Sequence, residues 1–257
     1  MAKAIKFNTI TYEKKGSIAI VTLNKPEKLN IITPETLNEL IILFSEEMHY
    51  DLDICCVILA STGKAFSAGA DIGHEVDAGT KGIMEFQVQG ANCFKLIENF
   101  RTPVIFALNG YCLGGGAELA LVGDIRIAAE NLQIGWPEIK LSAIAGWSAT
   151  RKLPAIVGPS MARKLLFTGE FLKAQKALEL GLLDQVVPAE NLLSTALELA
   201  STIASYPPLA MEMLKRAIVY GEAFDENETR VLIQTEDSKE AYAAFLEKRN
   251  NKGYRRK

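Results

Sequence analysis

A strand that runs into three consecutive glycines, followed at once by a short apolar helix, constrains this chain more than any other feature. Pro103-Val-Ile-Phe-Ala-Leu108 reads as a buried strand, Gly114-Gly-Gly116 as a turn, Ala117 to Gly123 as a helix and Asp124-Ile-Arg-Ile-Ala128 as the next strand. Glycines let a backbone approach a ligand closely and take up dihedrals barred to other residues. A helix start directs unpaired N–H groups at whatever precedes it. Such a turn suits an oxygen that gains negative charge, and it also serves as a tight packing turn. It matches neither Gly-x4-Gly-Lys-Ser/Thr nor Gly-x-Gly-x-x-Gly, so neither nucleotide fingerprint is present.

The same alternation of short elements extends in both directions. Phe7 to Glu13 and Ser17 to Leu23 read as strands joined by a Lys14-Lys15-Gly16 turn. Thr33-Pro34-Glu35 is a helix start, with a Thr cap, Pro in the first turn and an acidic residue beside it. Leu37, Leu40, Ile41, Phe44 and Met48 then repeat at helical spacing, predicting a helix over 34–49. Ile54-Cys-Cys-Val-Ile-Leu59 has the continuous apolar character of a buried parallel strand. A small-residue loop at 63–71 and a helix over 83–99 follow. From Leu192 to Leu246 helical periodicity dominates, with breaks near Tyr206-Pro-Pro208 and Gly221. The chain is therefore expected to be α/β over 1–195, with a helical region over 196–257 too small for a separate domain.

Composition excludes several function classes. With 28 Lys plus Arg against 31 Asp plus Glu in 257 residues, the net charge of -3 offers no general field for nucleic acid. The two histidines, His49 and His74, have no second His or Cys at ligand spacing, which argues against a metal site or a His-based triad. Cys55, Cys56, Cys93 and Cys112 form no disulfide framework and suit a reducing compartment. No stretch reaches the roughly 18 apolar residues of a membrane span. The first six residues lack a signal-peptide core and the last three match no lipidation or peroxisomal signal, so a cytoplasmic location is expected.

Two carboxylates stand out. Glu118 follows the triple glycine by two residues and falls in the first turn of a largely apolar helix, where it would also complement the helix dipole. Glu138, in Gly135-Trp-Pro-Glu138, follows a short strand at Leu132 to Ile134 and would otherwise be a solvated turn residue. In apolar surroundings both would gain acid and base competence near neutral pH. Spacing alone does not establish that they meet. Ser67-Ala-Gly-Ala-Asp71 is a second small-residue loop after a buried strand and a source of another N–H donor. Two donor loops and two carboxylates suit proton chemistry beside a carbonyl whose oxygen becomes an enolate.

Ala65-Phe-Ser-Ala-Gly-Ala-Asp-Ile72, Asn109-Gly-Tyr-Cys-Leu-Gly-Gly-Gly-Ala-Glu-Leu-Ala120 and Gly135-Trp-Pro-Glu-Ile139 resemble the three signature blocks of the crotonase (enoyl-CoA hydratase/isomerase) superfamily. The Asn24 to Asn30 loop, Phe167-Thr-Gly169, Gly181 to Val187 and Ala244 to Arg249 are similar in order and spacing, so the resemblance spans essentially the whole chain. It implies a spiral of repeated ββα units whose C-terminal helices build a homotrimer or homohexamer. It implies that the N–H groups of Ala70 and Gly115 form an oxyanion hole for an acyl-CoA thioester. Glu118 would activate water and Glu138 would handle the α-carbon proton of an enoyl-CoA. CoA, part of the substrate and not a cofactor, would lie along Lys28, Leu29, Ala68, Asp71 and Ile72, with Lys248 a weaker phosphate partner.

The chain departs from the family pattern at two places. Trp136 precedes Pro137-Glu138 where a smaller residue is usual, and Ala145-Gly-Trp-Ser-Ala149 replaces a glycine-richer stretch. Trp136 and Trp147 are both expected to shape the acyl pocket, favouring a compact group such as a cyclic enoyl or dienoyl thioester. Isomerisation or thioester hydrolysis could use the same oxyanion hole. RNA binding is disfavoured, because the first amphipathic helix carries four acidic residues over 34–48 and no Lys or Arg.

Overall fold

The computed structural model describes residues 6–221 and 226–256; the first five residues and Lys257, on which the expectations about the chain ends partly rest, lie outside them. The chain opens with an antiparallel hairpin of β1 (Ile10–Lys15) and β2 (Ile18–Leu23). Lys15 pairs with Ile18, so the turn is Gly16-Ser17, later than expected, with Gly16 at φ +60°. Helix α1 (Pro34–Ile42) is capped by Thr33, whose side chain accepts the Thr36 N–H, and it runs on through a wider turn at Leu43–Glu47. Buried Glu39 ties this helix to the hairpin: its carboxylate accepts the N–H groups of Asn8 (2.6 Å) and Thr9 (2.8 Å) and the Thr9 hydroxyl.

Strands then come in pairs. β3 (Cys56–Ser61) and β4 (Ala65–Ser67) lead into α2 (Ile72–Glu98). β5 (Val104–Leu108) and β6 (Tyr111–Leu113) lead into α3 (Gly115–Leu121). β7 (Ile125–Ala129) and β8 (Gln133–Gly135) lead, through a 3-10 turn at Pro137–Leu141, to α4 (Ala149–Val157) and α5 (Pro159–Thr168). β9 (Phe171–Lys173), α6 (Ala174–Glu179), β10 (Gln185–Val187) and α7 (Leu192–Ala204) follow. The chain ends in α8 (Pro208–Tyr220), α9 (Glu226–Gln234) and α10 (Glu236–Leu246). The first strand of each pair enters a six-stranded sheet of order β1-β2-β3-β5-β7-β10, and the second enters a four-stranded sheet of order β4-β6-β8-β9. Each ββα turn thus advances one position in two parallel stacks, which is the spiral expected from the signature blocks.

The continuous apolar strands are explained by burial on both faces. Val57, Leu59, Val104, Phe106 and Leu108 enter the main core, while Ile58, Ala60, Ile105, Ala107 and Ile127 pack against Leu192, Ala196 and Ala200 of α7. Each large aliphatic or aromatic side chain so buried contributes roughly 1.5–3 kcal/mol. Because α7 covers the sheet, the boundary expected at 195/196 falls inside a helix that belongs to the core. Helix α2 starts eleven residues before its expected position at 83. Gly73, Gly79 and Gly82 weaken its helical signal, but Asp71 accepts the His74 N–H as a cap and the chain breaks helical geometry only at Gly79 (φ 63°, ψ 179°).

The strand pairs turn sharply, and Gly110 marks the tightest point. It has φ +56°, and a methyl there would come within 1.9 Å of the Lys64 carbonyl oxygen. Gly16 shares the left-handed dihedral but has nothing within 4 Å of such a methyl. Gly16→Ala should therefore cost about 1 kcal/mol from strain alone, and Gly110→Ala about 3 kcal/mol or more from strain plus overlap. Urea unfolding of both variants measures the difference, and equal losses would remove the steric role of Gly110.

Candidate active site

The loop after β4 and the start of α3 are pressed together by glycines. A methyl on Gly69 would lie 2.9 Å from the Leu113 carbonyl oxygen, and one on Gly115 would lie 3.3 Å from the Ala70 nitrogen. Gly115 is the first residue of α3, so its N–H has no partner within the helix. Among the described residues no other group accepts the N–H of Ala70 or of Gly115. Two free donors from different turns of the spiral therefore stand side by side. Ala68, Gly69, Ala70, Gly114 and Gly115 line a cavity of about 390 Å³.

Both candidate carboxylates face that cavity. Glu118 is 3% exposed, and its Oε1 accepts the N–H groups of Ser148 (2.8 Å) and Ala149 (3.0 Å) at the start of α4. The Ser148 hydroxyl donates to the Glu118 carbonyl oxygen at 2.6 Å. Burial raises the Glu118 pKa to about 7; the accepted N–H bonds oppose the rise and the nearby Glu138 carboxylate adds to it. Glu138 is half-buried, with its Oε1 3.0 Å from where a Gly114 methyl would stand and its Oε2 buried without a hydrogen-bond partner. Burial raises its pKa as well, opposed by its own backbone N–H and reinforced by Glu75. Sequence spacing left open whether the two carboxylates meet, and the fold brings them to one cavity.

The other expected residues divide. Lys28 and Leu29 sit on a short turn laid against the donor loop: the Ala68 N–H donates to the Leu29 carbonyl (2.9 Å), and Ile32 bonds both Gly69 and Asp71. Left-handed dihedrals at Leu29 and Asn30 shape this turn, and buried Asn30 anchors it by accepting from the Lys25 N–H and donating to the Thr62 and Ala65 carbonyls. Ile72 lines the cavity, whereas the Asp71 carboxylate is used in capping α2. Lys248, exposed beyond α10, lies outside the cavity lining.

The two tryptophans also part company. Trp147 lines the cavity with its indole between two glycines: a methyl on Gly90 would stand 2.3 Å from the ring and one on Gly115 2.5 Å. Phe86 and Phe94 meet it edge-on, each with centroids 5.2 Å away. Trp136 corrects the sequence reading, because it is 1% exposed, packs within the main core and lies outside the cavity lining. Its large apolar surface is buried where β8 ends, so it does not shape the pocket directly.

Sequence reasoning missed one wall of the cavity. Glu75, Val76, Ile83 and Gln87 come from α2, and Leu141, Ala143 and Ile144 from the segment after Glu138. Glycines obscured Glu75 and Val76 within an unrecognised helical stretch, and the expected helix over 83–99 gave no sign that Ile83 and Gln87 face a cavity. The second carries no periodic signal. A carboxylate four residues beyond the Ser67 to Asp71 loop was the one available hint.

The family described as enoyl-CoA hydratase/isomerase matches residues 13–254. The short-chain-enoyl-CoA hydratase of Clostridium acetobutylicum is 38% identical over 98% of this chain and 99% of its own length. The crotonyl-CoA hydratase of Syntrophomonas wolfei is 35% identical over 95% of this chain and 96% of its own length. The crystal structure of an enoyl-CoA hydratase from Bacillus anthracis superimposes with a TM-score of 0.93 at 32% identity, covering 97% of this chain and all of that one.

The raised pKa of Glu118 has a stability consequence. Between the ordinary carboxylate value of 4.5 and about 7, the folded protein holds a proton that the unfolded chain has released. Stability therefore falls as pH rises through that window, by an amount on the order of 3 kcal/mol, and the loss is complete above it. Glu118→Gln keeps an acceptor for Ser148 and Ala149 but carries no charge. It should be markedly more stable than the native chain at pH 8 and little different at pH 5. Urea midpoints at the two pH values give the comparison, and an equal offset at both would mean that burial does not perturb Glu118.

Proposed function

The chain belongs to the enoyl-CoA hydratase/isomerase family, and on that premise we propose that it adds water across the double bond of a short or otherwise compact enoyl-CoA thioester. The observation that carries this reading is the shared cavity, where two carboxyl groups whose pKa values are raised by burial face two unpartnered N–H groups.

In this mechanism the thioester oxygen accepts from the Ala70 and Gly115 N–H groups. Glu118, ionised, takes a proton from a water molecule as the water oxygen bonds to the β-carbon. The π electrons move toward the thioester and form an enolate, which the two donors stabilise; removing one such donor typically costs about 2.7–4 kcal/mol in the barrier. Glu138, protonated, then gives its proton to the α-carbon. Glu118 ends protonated and Glu138 ionised, and exchange with solvent restores both. A pKa of about 7 leaves Glu118 near half-ionised at neutral pH, which suits a general base that must also return its proton.

The CoA portion would follow the Lys28 and Leu29 turn and Ala68, with Lys28 meeting phosphate. The Trp147 ring, held by Gly90 and Gly115, closes one side of the acyl space and supports a compact acyl group, linear or cyclic. The four cysteines are free, in keeping with a cytoplasmic reaction. Assembly as a homotrimer or homohexamer is part of the same proposal. Phe245 (82% exposed), Leu246 (77%) and Ile218 (72%) in the C-terminal helices would otherwise be left in water.

Glu118→Gln and Glu138→Gln should each lower turnover by several orders of magnitude while an unreactive acyl-CoA still binds. Mass-resolved turnover of a mixed library of linear and cyclic enoyl-CoA esters tests this together with the reaction class. Gain of one water identifies hydration, an unchanged mass identifies isomerisation, and free CoA identifies hydrolysis; full activity in either variant would remove its carboxylate from the mechanism. Sedimentation velocity should give a mass of three or six chains, and a monomer at micromolar concentration would refute the assembly.

A further inference from the structure

Hydration uses two of the three carboxylates that face the cavity. The third, Glu75, lies in the first turn of α2, where the positive end of the helix accommodates a negative side chain. It is half-buried, and its Oε1 accepts a hydrogen bond from Gln87 Nε2 at 3.1 Å. Gln87 reaches back from twelve residues further along α2, across the kink at Gly79, and also lines the cavity. The surrounding wall is apolar, formed by Ile72, Val76, Ile83 and Ile144. Among the described residues, no Lys, Arg or His lines this space. The charge of Glu75 reaches Glu138, where it reinforces the upward pKa shift.

A carboxylate gains nothing from an apolar wall by packing alone. Its electrostatic consequence is definite, however. An acyl group ending in a free carboxylate would bring another negative charge into a cavity whose lining already holds three carboxyl groups and no Lys, Arg or His. A neutral acyl group meets no such repulsion. Specificity of this kind comes from a repulsive group set against the wrong ligand, as much as from attraction to the right one. We propose that Glu75, oriented by Gln87, is a specificity-determining residue that excludes acyl-CoA esters with an anionic acyl end and restricts the site to neutral acyl groups. This rests on the hydration reading for the placement of the acyl group in the cavity.

Binding of two unreactive saturated esters, butyryl-CoA and glutaryl-CoA, measured by isothermal titration, tests the assignment. The native chain should prefer butyryl-CoA by at least about tenfold. Glu75→Gln, which retains the size and a hydrogen bond to Gln87, should reduce the preference to within about threefold, and Glu75→Lys should reverse it. Thermal melting confirms that each variant is folded; if Glu75→Lys is not, Glu75→Gln decides alone. An unchanged preference in Glu75→Gln overturns the proposal, as does a native chain that binds both esters equally or neither. Turnover of crotonyl-CoA against glutaconyl-CoA should shift kcat/KM in the same sense. Because the saturated esters cannot react, the binding preference is read apart from turnover: a preference that shifts in Glu75→Gln while the native chain adds no water to crotonyl-CoA would sink hydration and leave the role of Glu75 standing.

Discussion

The pair of N–H groups that Ser148 and Ala149 present to Glu118 is the interaction on which the rest of the site depends. Burial alone would drive this carboxyl toward permanent protonation, and two accepted hydrogen bonds hold it within reach of ionisation. Their geometry is set by the start of α4, so anything that fixes α4 fixes Glu118. Buried Glu98 on α2 does so through ion pairs to Arg151 and Lys152 in the first turn of α4. One residue upstream, Trp147 is wedged between Gly90 of α2 and Gly115 of α3. The segment 147–152 therefore locks three helices around one carboxylate, while its Trp147 indole also bounds the cavity.

The spiral supplies the second requirement, which is that donors from separate turns should coincide. Each turn sends its second strand to the four-stranded sheet, so β4 and β6 lie side by side and the loops that leave them arrive together. Glycine at 69, 110 and 115 is what allows the approach, since a single methyl at any of them would press on a neighbouring backbone or ring. Ala70 and Gly115 are thus adjacent because the sheet places them so, although 45 positions separate them along the chain. Preorganised donors of this kind need no rearrangement when charge develops on an oxygen between them.

Legibility in the sequence followed the reach of each signal. The cap at Thr33, the apolar runs at β3 and β5 and the triple glycine are local patterns, and the structure contains each of them in place. The first turns of α2 were hidden by three glycines, because helix propensity is a local average and the Asp71 cap that overrides it is a single contact. Trp136 and Trp147 looked equivalent as departures from a family pattern. One proved to be a core residue and the other a cavity wall, since residue type says nothing about which side of a loop a ring falls on. Glu75 and Gln87 were illegible for a similar reason: a hydrogen bond across a kinked helix leaves no periodic trace.

The sequence by itself determined the repeated strand and helix units, the two glycine-lined donor loops, the two carboxylates and, through the order and spacing of its signature blocks, the family. These follow from backbone dihedrals, apolar periodicity and residue chemistry, all of which act over a few residues. Only the tertiary structure decided that Glu118 and Glu138 share one cavity, that two unpartnered N–H groups stand beside them, and that a third carboxylate, Glu75, lines the same space. Desolvation and Coulomb interactions depend on distance through space, and chain order does not specify that distance until the sheets have stacked.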